Sequence, residues 1–146
     1  MRSRWLVAAN ALLLLVLVAI AVGVEVSNRP AVAVEASVRR YAVAITNGNL
    51  DAALQEIAPD QRAHWSDWIA GQVGNTYDVR GIAVRTPPLS QGLRHQPTEV
   101  TVVLDVDKGD PDQYYQPTTR VPIEIADGRP YLATPLIEPE ADAATQ

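Results

Sequence analysis

The chain has no cysteine, no phenylalanine, two histidines and one lysine, Lys108. Without cysteine there is no disulfide, no thiolate nucleophile, no cysteine-based zinc site and no lipid-modified cysteine. Two histidines alone leave little basis for a transition-metal site, and no cofactor is expected. Without phenylalanine, bulky packing falls to three tryptophans and five tyrosines. A net charge of −5 supplies no phosphate-neutralising stripe, so nucleic acid is not an expected partner. Arg39 and Arg40 are the one adjacent basic pair, and a solvated helix face accounts for them. What is left suits a single domain with a modest core.

The most conspicuous feature that is present is "WLVAANALLLLVLVAIAVGV", residues 5–24, which contains no charged residue. At about 1.5 Å per helical residue it matches a hydrocarbon core of roughly 30 Å. Trp5 takes the interfacial position, Arg2 and Arg4 precede the run, and Glu25 and Arg29 after it nearly cancel. The expectation is a cytoplasmic N-terminus at 1–4, a transmembrane helix at 5–24 and a single-pass protein of the cell membrane. The domain then lies outside the cytoplasm. A cleaved secretory signal is the alternative, with small-x-small sites at Ala31-Val32-Ala33 and Val34-Glu35-Ala36. Those sites fall past the apolar run, which exceeds a usual signal core of ~7–15 residues. Either reading sends the domain outside.

Residues 25–33 read as a short linker, with Asn28 as N-cap and Pro30 in a first turn. Val34, Val38, Tyr41, Ala42 and Ile45 then recur at helical spacing. Glu35 and Arg39 are placed for a favourable surface pair. Gly48 supplies the left-handed residue that ends this helix, and Asn49 caps the next, with Leu50, Ala53, Leu54 and Ile57 as its apolar stripe up to Pro59. A third helix, from Asp60 to about Ala70, carries Trp65, Trp68 and Ile69.

After Gly74 the period changes from 3.6 to 2. In "TYDVRGIAVR", Tyr77 and Val79 share one parity while Ile82 and Val84 take the other, so the phase slips at Gly81 and predicts a β-bulge. Residues 87–97 form a Pro/Gly-rich connection. "TEVTVVLDVD" alternates cleanly, with Val100, Val102, Leu104 and Val106 on one face. In "TRVPIEIA", Val121, Ile123 and Ile125 point inward, and Pro122 suits an edge or bulge. Asp127-Gly128 signals a hairpin, with residues 131–137 returning as the last strand. Residues 138–146 read as a disordered acidic tail. Helices followed by hairpin-linked strands make an α+β domain at 34–137, about three helices on a curved antiparallel sheet.

That order, with "VRRYAVAITNGNLDAALQEIAPDQRAHW", "EVTVVLDV" and the closing "TRVPIEIADGRPYLATP", resembles the nuclear transport factor 2-like superfamily, a cone-shaped α+β fold. Pro130 stands where many members have tryptophan. With the N-terminal apolar run, the chain looks like membrane-tethered bacterial members. The resemblance implies an accessory, assembly or binding module without catalysis, held at the membrane through residues 5–24, with a protein partner or self-association. Alternatives are a carrier or an isomerase- or dehydratase-like enzyme using the cone for a small apolar ligand, and a secretion-system assembly component.

A proton shuttle in such a cone needs a base and an oxyanion donor on one ligand. Tyr41, His64, Asp67, Tyr77, Asp105, Tyr114 and Tyr115 are the raw material, but none matches a catalytic motif, so no catalytic residue is assigned. His64, next to Trp65 and one turn from Trp68, reads as a packing residue, and His95 sits in an irregular loop. Asp105, Asp107, Asp110 and Asp112 fit no calcium-loop spacing and read as a solvated acidic edge. Trp65 and Trp68 read as core residues, with a ligand-lining or partner-binding role as the alternative. Tyr114-Tyr115 is the candidate exposed patch for a partner.

Overall fold

The computed structural model describes residues 2–87, 96–110 and 113–139, with the side chains of 2–11 and 21–28 excepted. Among the described residues three helices, α1 (Arg2–Thr46), α2 (Leu50–Gln55) and α3 (Arg62–Gln72), precede four strands. These are β1 (Thr76–Arg85), β2 (Glu99–Asp107), β3 (Thr118–Ala126) and β4 (Arg129–Leu132), paired antiparallel in the order β1-β2-β3-β4.

The expected transmembrane architecture is corrected. Among the described residues no helix is long and apolar enough to cross a membrane. The described apolar stretch, residues 12–20, is exposed throughout and covers less than half of a roughly 30 Å core at about 1.5 Å per residue. Nor is there a break at 25–33. The helix runs on through Pro30, so Asn28 starts nothing. The side chains of Arg2, Arg4 and Trp5 lie outside the described set, as do His95, Asp112 and most of the tail.

The corner between α1 and α2 forms as its residues dictate. Gly48 has φ +74°. Its N–H donates to the Ile45 carbonyl at 3.1 Å, while the Asn49 N–H donates to Ala44 at 2.9 Å. These two bonds satisfy carbonyls that a helix end otherwise leaves open. Asn49 then accepts from the Ala52 N–H at 3.0 Å and begins α2. One residue thus closes one helix and caps the next. α2 is shorter than its stripe suggested, and α3 runs two residues further than expected, through Gly71.

The core joins Val34, Val38, Tyr41, Ala42 and Ile45 of α1 to Val100, Val102, Leu104 and Val106 of β2, with Ala53, Ile57, Ile69 and Leu132 filling between. The predicted bulge is present. Val79 pairs with Leu104 and Gly81 with Val103, which leaves Arg80 as the extra residue. β3 pairs with β2 up to Pro122 and with β4 from Ile123 onward, so the proline sits where the strand changes partner. Asp127 and Gly128 both take positive φ, 51° and 74°, the conformation of a two-residue hairpin turn.

Two cross-links hold helices to sheet. The Tyr77 N–H donates to Thr46 Oγ1 at 3.0 Å, and the Gly74 N–H to the Ile45 carbonyl at 2.8 Å. At the other end Leu132 exchanges backbone bonds with Glu56 and Ala58, both 2.9 Å.

Candidate functional site

An open cleft of about 760 Å³ lies between the C-terminal half of α3, the segment leading into β3 and the chain after β4. Trp68 and Gln72 enter from α3, one turn apart on the same face. Tyr115, Pro117 and Thr119 line the sheet side; Ile137 and Glu138 line the C-terminal side; Lys108 stands at the turn after β2. Trp68 is fixed because its Nε1–H donates to the Ile137 carbonyl at 2.7 Å, tying the C-terminal segment to α3. Lys108 Nζ lies over the Tyr115 ring, 5.4 Å from its centre.

Gln72 is buried and organises the inner end. Its Oε1 accepts from the Tyr77 hydroxyl and from Asn75 Nδ2, each at 3.2 Å. Thr119 shares the inner face with Val121 and stands opposite Val102. Its hydroxyl is buried and has no hydrogen-bond partner among the described residues, as is also true of the Tyr41 hydroxyl. Burial, and the neighbouring Tyr77, push the Tyr41 phenol far above its usual range; burial, with Tyr115 adding, does the same for Tyr77. Both therefore stay neutral at any physiological pH. Tyr41 serves as a packing group and Tyr77 as a packing and hydrogen-bonding one, and a buried phenol of that kind is a poor proton shuttle.

The sequence candidates divide. Trp68 and Tyr115 meet in the cleft, Tyr77 supports it through Gln72, and Tyr41 lies in the core behind. Trp65 packs against the core with its Nε1 buried and unpartnered among the described residues. The exposed His64 sets its ring edge-on to Trp65 at 4.6 Å. Neither lines the cleft. Asp67 is exposed. Tyr114 and Tyr115, read together as one patch, face opposite ways, because adjacent residues of an extended segment alternate. Tyr115 forms a bridge with Val106, whereas Tyr114 accepts from Gln116 Nε2 at 3.1 Å and bonds to the Asp105 carboxylate on the other face.

Gln72, Lys108, Thr119 and Ile137 were not singled out from sequence. Thr119 was the legible one, since it has the parity of Val121, Ile123 and Ile125 and so is a polar residue on an apolar face.

A second groove, about 440 Å³ over the α1–α2 corner, includes Arg39, Arg40, Asn47, Asn49 and Glu56. Its charges are spent within the protein. Arg39 pairs with Glu35 at 2.9 Å, and Glu56 takes two bonds from Arg40 at 2.7 and 3.0 Å. Ser37 Oγ also donates to Glu56 at 2.6 Å, and Arg129 Nη2 donates to Glu56 at 3.0 Å. This is a structural knot. In the acidic run, Asp105 and Asp107 are engaged within the protein. Asp105 is paired with Arg80 and accepts from Gln116 at 2.6 Å, Asp107 accepts from the Gly109 N–H at 2.7 Å, and no group of three metal-binding side chains occurs among the described residues. No family model, curated protein or solved structure matches the chain, so its site is defined by its own geometry.

Proposed function

We propose that the protein is a binding module of the nuclear transport factor 2-like type, which holds a small, largely apolar ligand in the cleft beneath Trp68. The observation that carries this reading is an open cleft of about 760 Å³ walled by Trp68, Tyr115, Pro117 and Ile137, with Gln72, held in place by Tyr77, and Thr119 in its lining. Aromatic and aliphatic walls with a few placed polar groups are the usual make-up of a small-molecule site. Among the described residues the cleft's lining holds no histidine, and its one carboxylate there, Glu138, is exposed, which favours binding over acid–base chemistry.

The apolar residues 12–20, exposed on every side of α1, require an apolar environment. Attachment to a membrane surface is the reading they favour. Vesicle co-sedimentation tests it: Leu13→Lys with Leu17→Lys should release the full chain to the supernatant, and unchanged sedimentation would refute attachment through this stretch.

For the cleft, the probe is N-phenyl-1-naphthylamine, whose emission rises in apolar sites. Titrating it into the full chain should give saturable binding that Pro117→Trp blocks by filling the cleft. A signal that ignores Pro117→Trp would place the binding elsewhere and remove this reading.

A further inference from the structure

We infer that the grip of the cleft is set from the opposite face of the sheet, where Asp105, acting through Tyr114 and Gln116, positions Tyr115 and Pro117 as one wall; the inference rests on the binding reading above. The wall belongs to an extended segment, residues 114–117, just ahead of β3. Its side chains alternate. Tyr115 and Pro117 line the cleft, whereas Tyr114 and Gln116 turn away from it. Backbone bonds tie the odd positions to β2: Val106 and Tyr115 exchange bonds of 3.0 and 3.1 Å, and the Leu104 N–H donates to the Pro117 carbonyl at 3.1 Å. Regular pairing of β2 with β3 begins only at Thr118, so the even positions need another hold. Asp105 supplies it. It lies between Leu104 and Val106, which point into the core, and so faces the other way. Gln116 Nε2 donates to its carboxylate at 2.6 Å and to the Tyr114 hydroxyl at 3.1 Å, and Tyr114 bonds to the same carboxylate. Arg80, the extra residue of the bulge, holds Asp105 in turn. Tyr115 is therefore fixed by its neighbours on both sides before any ligand arrives, and ordering the wall on binding costs little. Tyr114 and Gln116 are exposed, so this clamp can be removed without opening the core.

Titration of N-phenyl-1-naphthylamine into full-chain variants tests this, with melting temperatures recorded alongside. Tyr114→Phe combined with Gln116→Leu removes both donors to Asp105 and alters no residue that lines the cleft. It should weaken binding about fivefold or more. Tyr114→Phe combined with Gln116→Lys returns one donor to Asp105 and should recover most of that loss. Glu56→Ala, which lowers stability at the α1–α2 corner, should leave the affinity unchanged and so separates positioning from general destabilisation. Parental affinity in the Phe/Leu double variant would overturn the inference and leave the binding reading standing. So would a Phe/Lys variant as weak as the Phe/Leu one, or an equal loss in Glu56→Ala. An absence of saturable binding in the parent chain would remove the binding reading itself.

Discussion

Asp78 and Asp105 stand directly opposite each other in the β1–β2 ladder. Two carboxylates in such a position repel. Between them lies Arg80, the residue that the bulge adds to the strand, paired with Asp105 and 3.3 Å from Asp78. The bulge therefore does more than curve the sheet: it turns an arginine onto a like-charge pair.

Replacing Arg80 with Met should lower the melting temperature by exposing Asp78 and Asp105 to each other. Adding Asp78→Asn should recover much of the loss. Calorimetry of the two variants checks this, and a single variant as stable as the parent would mean that Arg80 does not bridge the pair.

Glu56 ties α1, α2 and β4 together through Ser37, Arg40 and Arg129. Burial pushes its carboxyl up, but the bonds from Arg40 and Ser37 and the two guanidinium charges outweigh that and hold it below the usual range. Asp105 is likewise pushed up by burial and drawn lower overall, by Arg80, Gln116 and Tyr114. A lowered folded value means that the unfolded chain takes up protons first. The stabilisation is then full above ordinary carboxyl values of about 4 and fades as pH falls below them toward the folded values. Glu56→Gln should flatten the fall in melting temperature between neutral and acid pH. Glu56→Ala should cost about 2 kcal/mol at neutral pH by denaturant unfolding, less than a fully buried pair because both arginines are half exposed.

Gly48 has φ +74°, and a Cβ there would meet only Val73 Cγ1 at 4.0 Å. Space is not the obstacle; backbone conformation is. Gly48→Ala should cost roughly 1–2 kcal/mol and Gly48→Asn less, since asparagine tolerates the left-handed region better. Urea midpoints with an unchanged slope would show the effect to be one of stability alone.

How much of this was legible depends on how local the cause is. The Gly48-Asn49 corner, the Gly81 slip and the Asp127-Gly128 turn are set by neighbours in sequence, and all three could be placed beforehand. The alternation in β2 likewise exposed its buried face. What sequence could not reveal was pairing at a distance. Glu56 meets Arg129 from 73 positions away, and Trp68 meets Ile137 from 69, so neither the knot nor the cleft mouth has a local signature. Local reasoning also failed at Pro30. Proline suits a helix start, yet here the preceding turn is already helical and the chain continues through it. Tyr114 and Tyr115 were joined because they are adjacent, although extended backbone sends adjacent residues to opposite faces.

The most direct test of the cleft as a ligand site uses its own tryptophan. Of the two indoles among the described side chains, Trp68 lines the cleft and Trp65 packs on the core beside His64. In ¹⁵N-labelled full chain, titration with 2-acetonaphthone should shift the Trp68 indole N–H signal, assigned by its loss in Trp68→Phe, and leave that of Trp65 in place. A Trp68 signal that stays fixed through saturating 2-acetonaphthone would contradict the account.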